Sequence, residues 1–431
     1  MKNKIFGVLI ALVLAVTGFG LVGCGGGSNP APGPGPEPAP EVSYDDDTTP
    51  VDVDGSGFIF DLWTPERMEE DGWGEENITE YNQAFVLAIT EEVENLVIPA
   101  YVTDGEHTYK VVEIENLLFT IDNPEDFNFT GVNEQAMSVK TITIPSTVQY
   151  IGETAFGRIY GHLENPEDEE SWVDEPIYME NLEQIILNNR TTDIDMWDAI
   201  SGLEYAMEAI AYQNGETEIG WDEVVEELFN QFGTYDEEND LFYMGNPSNP
   251  YMILVTAGNS YWGELPEGEF EIVANVNENC ELIGCYAFSY SYVTGVVLPE
   301  GLKTIGQGAF NYCNYLTEVE LPNGLKYIGD DAFVNCNLEY LDIPTTVEYV
   351  GYYSFIGGLN IYVDNPEDLL ESLPHCHADT IYVLKTVVDA AEEDAYIFGD
   401  YYYVTTEGEN PVKVVTTHNN KEYYAIVEFV R

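Results

Sequence analysis

The chain has 431 residues, 45% of them hydrophobic and 13% aromatic, enough apolar material for two or three packed units and too much for a disordered acidic tail. It carries 79 Asp and Glu against 13 Lys and Arg, a formal net charge of −66. A surface of that sign repels nucleic acid and anionic headgroups and attracts cations, so nucleic acid is not an expected partner.

In chain order, the first element is an export signal. Lys2 and Lys4 precede an apolar stretch from Ile5 to Val22 that is broken only by glycines and Thr17. It runs into small residues and a cysteine without the basic flank that stops transfer of a membrane span. Leu21-Val22-Gly23-Cys24 resembles a lipobox, the motif read by bacterial lipoprotein signal peptidase. The resemblance implies cleavage after residue 23, lipid on Cys24 and attachment to the membrane through that lipid on the outer face of the cell. Loss of Lys2 and Lys4 then moves the net charge to about −68. The alternative is a plain secretory signal with an incidental cysteine.

Residues 24–57 read as an acidic stalk. Proline at every second position from Pro30 to Pro40 favours extended polyproline II. Asp45 to Asp47 follow, and Asp52-Val53-Asp54-Gly55 faintly resembles a calcium loop, although Pro50 stands where its first ligand belongs. Loosely bound calcium is therefore one expectation, and a plain acidic turn is the other. Residues 58–156 are expected to hold N-terminal strands and the first of a series of repeats.

The repeats are clearest further on. Val297 to Phe310, Glu320 to Phe333 and Asp342 to Phe355 share one frame with Thr143 to Phe156, and partial copies sit at Val97-Ile98-Pro99 and at Glu281 to Phe288. The closing phenylalanines Phe288, Phe310, Phe333 and Phe355 stand 22, 23 and 22 residues apart. A unit this small cannot bury its own apolar side, so the copies are expected to stack as coils of a solenoid around a shared core. Leu316, Val319, Leu321, Leu325, Ile328, Ala332 and Phe333 are the inward candidates of one coil. Glu318 and Glu320 alternate with them outward, and Gly329 reads as a bend.

The frame Leu-x-x-Ile-x-(Leu/Ile)-Pro-x-x-(Val/Leu)-x-x-Ile-Gly-x-x-Ala-Phe-x-x-Cys is similar to the BspA-type leucine-rich repeat of bacterial surface proteins. It extends over about Val97 to Phe156 and Cys280 to Tyr382. The resemblance implies an α+β fold: a leucine-rich repeat solenoid of 22–23-residue coils, interrupted by a helical insertion and closed by a small C-terminal β cap. It implies a lipid-anchored surface module that binds or adheres to a protein or glycan.

The insertion covers residues 157–270. It is read as a long acidic loop around Glu164 to Glu170, a strand near Gln184, and two amphipathic helices. The helices run through Ile194, Trp197, Ile200, Leu203 and Met207, and through Trp221, Val224, Val225, Leu228 and Phe229. A tight turn between strands follows over Phe242 to Val255. Repeats resume over 271–385, and 386–431 read as three strands with a turn at His418-Asn419-Asn420.

No catalytic constellation is evident, so an enzyme is not expected and no cofactor is implied. A hydrolase with its site in 157–270 and a purely structural envelope protein remain the rival readings. His375-Cys376-His377 places two imidazoles on one face if extended, but a fourth ligand is not apparent, so no metal site is assigned. Lipidation of Cys24 leaves five cysteines, an odd number that argues against a disulfide framework; Cys313 and Cys336 share one repeat position and are expected to stack as buried thiols. The residue before each Ile-Gly or Val-Gly is Tyr150, Thr304, Tyr327 or Tyr349, and its tyrosines, Tyr150, Tyr327 and Tyr349, with Tyr352 and Tyr353, are the candidate binding surface. Alternation points that position outward, with Tyr352 and Tyr353 nearby, and tyrosine joins an apolar ring to a polar tip. Cross-coil pairing that only stabilises the sheet is the alternative.

Overall fold

The computed structural model describes residues 43–72, 79, 81–121, 129–165, 168–190, 231–257, 271–365, 369, 372–390, 402–404 and 415–428. The export signal, Cys24, the proline run and both amphipathic helices of the insertion lie outside the described residues.

Each coil contributes two short strands, one ending before the Pro of the repeat and one at the Ile-Gly. The first kind forms parallel ladders: Asn95–Val97, Thr141–Ile144 and Gln184–Leu187 in one sheet, then Val273–Asn275, Gly295–Val297 and Glu318–Val319 in another. Tyr340–Ile343, Asn360–Val363 and Thr380–Leu384 continue the series in a third. The second kind, Leu282–Ile283, Thr304–Ile305, Tyr327–Ile328 and Tyr349–Val350, forms a parallel ladder in register. Between them, Phe288, Phe310, Phe333 and Phe355 stack inside the coils at centroid separations of 5.0, 5.1 and 6.1 Å.

Gly329 and Gly351 serve a different purpose from the bend read in the sequence. A Cβ on Gly329 would stand 2.6 Å from the Gln307 amide nitrogen, and one on Gly351 2.3 Å from that of Asp330. The preceding coil passes too close for any side chain. The left-handed residues stand elsewhere: Tyr286, Gly308, Asp331 and Tyr353 form one row with φ between 55° and 59°, and Tyr290, Tyr312 and Asn335 a second.

Cys313 is buried and Cys336 partly so, and each thiol donates to the carbonyl of a phenylalanine on the preceding coil, Phe288 at 2.9 Å and Phe310 at 3.0 Å. Burial holds the Cys313 thiol well above its ordinary pKa. All five described cysteines are free.

Two large cores meet at the hairpin formed by Leu241–Asn246 and Asn249–Ala257. Along it Leu241, Tyr243 and Leu254 join the core of the later repeats, and Phe242, Met244, Met252 and Ile253 the N-terminal one. The hairpin is thus a wall apolar on both faces. The N-terminal core is covered by Gln83–Ile89, Thr108–Asn116 and Phe58–Trp63.

Two segments differ from their sequence reading. The folded body begins inside the stretch read as stalk, because Val51–Asp52 pairs with Tyr101–Thr103. Asp46 also accepts from the Ser146 amide and hydroxyl and from Asn188. The acidic loop around Glu164 is instead an antiparallel hairpin of Gly157–Asn165 and Asp168–Tyr178. Ile159 and Tyr160 in one segment, and Trp172, Val173 and Ile177 in the other, are residue types that favour strands.

At the C-terminal end Lys421–Glu428 pairs antiparallel with Thr380–Leu384 and, on its other flank, with Val415–His418 and Tyr402–Val404. Asn419 and Asn420, both left-handed, make the turn, as a two-residue hairpin of this type demands.

Candidate functional site

The row expected to face outward is only partly open. Tyr327 and Tyr349 stack across adjacent coils at 4.8 Å and 9° between ring planes, with Tyr327 38% exposed and Tyr349 half-buried. Burial, followed by the nearby charge of Asp330, raises the Tyr349 phenol pKa. Tyr352 and Tyr353 are exposed beside it; Tyr352 stacks on His375 at 4.8 Å and Tyr353 leans on His377 at 4.7 Å.

Thr304 is a correction. It is 1% exposed, and Leu282, its counterpart one coil earlier, belongs to the N-terminal core. Along this ladder the position is buried at Leu282 and Thr304 and opens at Tyr327. Tyr150 is half-buried and belongs to a different sheet, opposite Glu113 of Thr108–Asn116. The Glu113 carboxyl is pushed up to about 8 by burial, reinforced by a hydrogen bond to Glu115 and by its charge.

His375-Cys376-His377 is not extended. Leu373–His375 is a 3-10 turn, Cys376 is buried, and the two imidazoles rest against different tyrosines. Among the described residues no three His, Cys, Asp or Glu side chains converge in a way that holds a metal. In the Asp52–Asp54 segment, Asp52 accepts from the Asp54 amide, and Val51–Asp52 is a strand.

A second aromatic group escaped the sequence reading. Tyr340 and Asp342 of one coil, Tyr362 of the next and Tyr382 after it project from the outer face of the last ladder, with Tyr362 and Tyr382 stacked at 4.6 Å. His418, from the C-terminal hairpin, lies on Tyr362 at 3.8 Å and 14°. Its Nε2 stands 2.8 and 3.1 Å from the Asp342 carboxylate oxygens, and Asn419 donates to the same carboxylate at 3.0 Å. Lys421 pairs with Asp364, which also accepts from the Tyr423 hydroxyl at 2.7 Å. The alternation that marked Glu318 and Glu320 as outward also marks Tyr340 and Asp342, four and two residues before Pro344. No local signal brings His418 to them.

The family model for the BspA type leucine-rich repeat region matches residues 129–200 and 275–371 in six copies. These two segments are BspA-type leucine-rich repeats. These repeats supply both strand ladders and the phenylalanine column between them. Among solved structures, the chain is similar to a leucine-rich repeat protein from Bacteroides ovatus, at 18% identity and a TM-score of 0.23, covering 67% of this chain and 63% of that one. It is also similar to the pneumococcal vaccine antigen PcpA, at 16% identity and a TM-score of 0.25, covering 72% and 81%. A leucine-rich cell surface protein from Faecalibacterium prausnitzii is 16% identical with a TM-score of 0.17, over 66% and 53%. The chain therefore spans less than two thirds of the Bacteroides and Faecalibacterium proteins. No curated protein matches it.

Proposed function

We propose that this repeat protein is displayed on a bacterial cell surface, anchored by lipid on Cys24, and acts as a binding or adhesion module for a protein or glycan. The observation that carries the reading is the open aromatic surface at Tyr327, Tyr349, Tyr352 and Tyr353. Stacked rings hide their faces against each other and present edges and hydroxyls, so the partner it suits is one rich in hydrogen-bonding groups. The lipobox-like Leu21 to Cys24 and the proline run to Pro40 support display at a distance from a membrane.

Two measurements test this. Binding of the full-length chain to glycan and protein arrays is expected to fall when Tyr327 and Tyr352 are both changed to Ala; retention of every array signal would remove this surface from the reading. Cys24→Ser is expected to abolish lipid labelling and membrane retention, and equal labelling in the variant would overturn the anchor.

A further inference from the structure

The turns after Leu282–Ile283 and Thr304–Ile305 carry tyrosine where the backbone least suits it. Tyr286, Tyr290 and Tyr312 hold φ of 55°, 58° and 57°, the left-handed region that a bulky side chain enters only at a cost in free energy. Hydrogen bonds between coils hold the backbone there: the amides of Tyr286, Tyr290 and Tyr312 donate to the carbonyls of Gln307, Asn311 and Val334, each at 2.8 Å. Elsewhere in the same two rows the chain meets this demand with Gly308, Asp331 and Asn335, residue types that tolerate it better. The fold therefore does not ask for tyrosine at these places.

The rings are also open to water. Tyr286, Tyr290, Tyr312 and Tyr315 are 40%, 46%, 39% and 37% exposed. Tyr290 and Tyr312 stack across the two coils at 5.0 Å and 5°, and the Tyr286 ring lies across Gly308 of the next coil, where a Cβ would stand 2.3 Å from it. Charge sets this edge apart. Of the 431 residues of the chain 79 are acidic, yet 282–299 and 304–317, which include both turns, hold no Asp, Glu, Lys or Arg. Asp330 and Asp331, on the coil after them, mark where charge returns. Among the rings stand neutral hydrogen-bonding side chains, of which Gln307 and Asn314 are exposed.

We propose that this edge, formed by Tyr286, Tyr290, Tyr312 and Tyr315 with Gln307 and Asn314, binds an uncharged linear polysaccharide. A sugar ring has apolar C–H faces that rest on aromatic rings and hydroxyls that pair with phenol and amide groups. A linear polysaccharide repeats those features along its length, as the coils repeat their rings along the axis of stacking. Charge selects the class of ligand. A cationic partner is drawn to the acidic coat at large and an acidic one is repelled by it, so a patch free of charge favours a neutral partner. The inference rests on the binding-module reading and narrows its partner, at residues separate from Tyr327, Tyr349, Tyr352 and Tyr353.

The test is electrophoresis of the full-length chain in native gels containing hydroxyethylcellulose, mixed-linkage β-glucan or glucomannan, with polygalacturonate as the acidic comparison. At least one neutral polymer is expected to retard the chain, and polygalacturonate is not. Asparagine suits a left-handed backbone, so Tyr290→Asn with Tyr312→Asn removes two rings without straining the fold. This variant is expected to keep its melting temperature and to bind the retarding polymer about tenfold more weakly, the effect of losing a central aromatic contact. Tyr81→Ala removes an exposed ring elsewhere and is expected to change retardation by less than about twofold. Passage through every neutral gel without retardation, or equal retardation of the asparagine variant, would overturn the proposal. A clear fall in the melting temperature of that variant would do the same by showing the rings to be structural. Loss of protein-array binding in the variant, with no polymer retarding the parent, would give the edge to a protein instead. If the gels are silent while array binding still depends on Tyr327 and Tyr352, this inference falls and the module reading stands; retardation lost with Tyr290 and Tyr312 but kept without Tyr327 and Tyr352 supports this edge alone.

Discussion

The phenylalanine column inside the coils and the tyrosine pair outside them share one geometry and differ in solvent. Phe310 and Phe333 stack at 5.1 Å and 11°, and Tyr327 and Tyr349 at 4.8 Å and 9°. Both spacings are inherited from the distance between adjacent strands, about 4.8 Å in any sheet. Stacking by itself therefore says nothing about function. What separates the two columns is that the phenylalanines are fully buried while Tyr327 meets water. The interior column holds the coils together, and the exterior one presents part of its surface to water.

The sharpest way to break this contrast is truncation of the interior column. Phe333→Ala is expected to lower stability by about 3 to 5 kcal/mol, the usual cost of an emptied phenylalanine site in a packed core. Glu320→Ala, outward on the same coil, should stay within about 0.5 kcal/mol. Equal melting shifts for the pair would reject the assignment of inside and outside.

Gly329→Ala tests whether the coils are as close as their shared spacing implies. Its new methyl would meet the Gln307 amide nitrogen at 2.6 Å and the Gly306 carbonyl carbon at 2.7 Å, backbone atoms that have little room to yield. A loss of about 1 to 3 kcal/mol is expected in chemical denaturation, as for other overpacked sites. A neutral result would mean that neighbouring coils slide apart cheaply.

Glu113, outside the repeats proper but opposite Tyr150, contrasts a buried carboxyl with the solvated acids of the coat. With its folded pKa pushed up to about 8 from an ordinary 4.5, the native state holds this proton where the unfolded chain has lost it. Its contribution is complete below about 4.5 and disappears as pH rises through about 8. Melting temperature should therefore fall between about pH 6 and 8.5, where exposed carboxylates are already charged, and Glu113→Gln should flatten that fall. An identical slope in the variant would move the titration to another group.

The smallest stability effect is expected at the exterior stack. Tyr327→Ala removes one exposed ring pair and should cost about 1 kcal/mol or less in thermal melting, within the range for an aromatic pair. A loss approaching that of Phe333→Ala would show the tyrosines to be structural and weaken their claim as a binding surface.

The repeat frame, the coil length and the inward column were legible in the chain because each depends on local period. Apolar residues every second position in a strand, a proline after it and a phenylalanine at fixed distance define one coil without reference to any other. Cys313 and Cys336 followed from the same frame, and so did the outward places of Tyr327, Tyr349 and Glu320. The acidic segment around Glu164 misled, because charge at a hairpin tip looks like charge in a loop when the strand-forming residues are short runs on either side.

Tertiary structure decided which outward positions meet water and what lies on them. Thr304 fills the same slot as Tyr327, one coil away in register, and is buried where Tyr327 meets water. His418 reaches Asp342 across 76 positions of sequence, and Ser146 reaches Asp46 across 100. Such contacts carry no period. They arise when separate elements, each specified locally, pack against one another, and a side chain's exposure is set by the neighbour that arrives as much as by the strand that presents it.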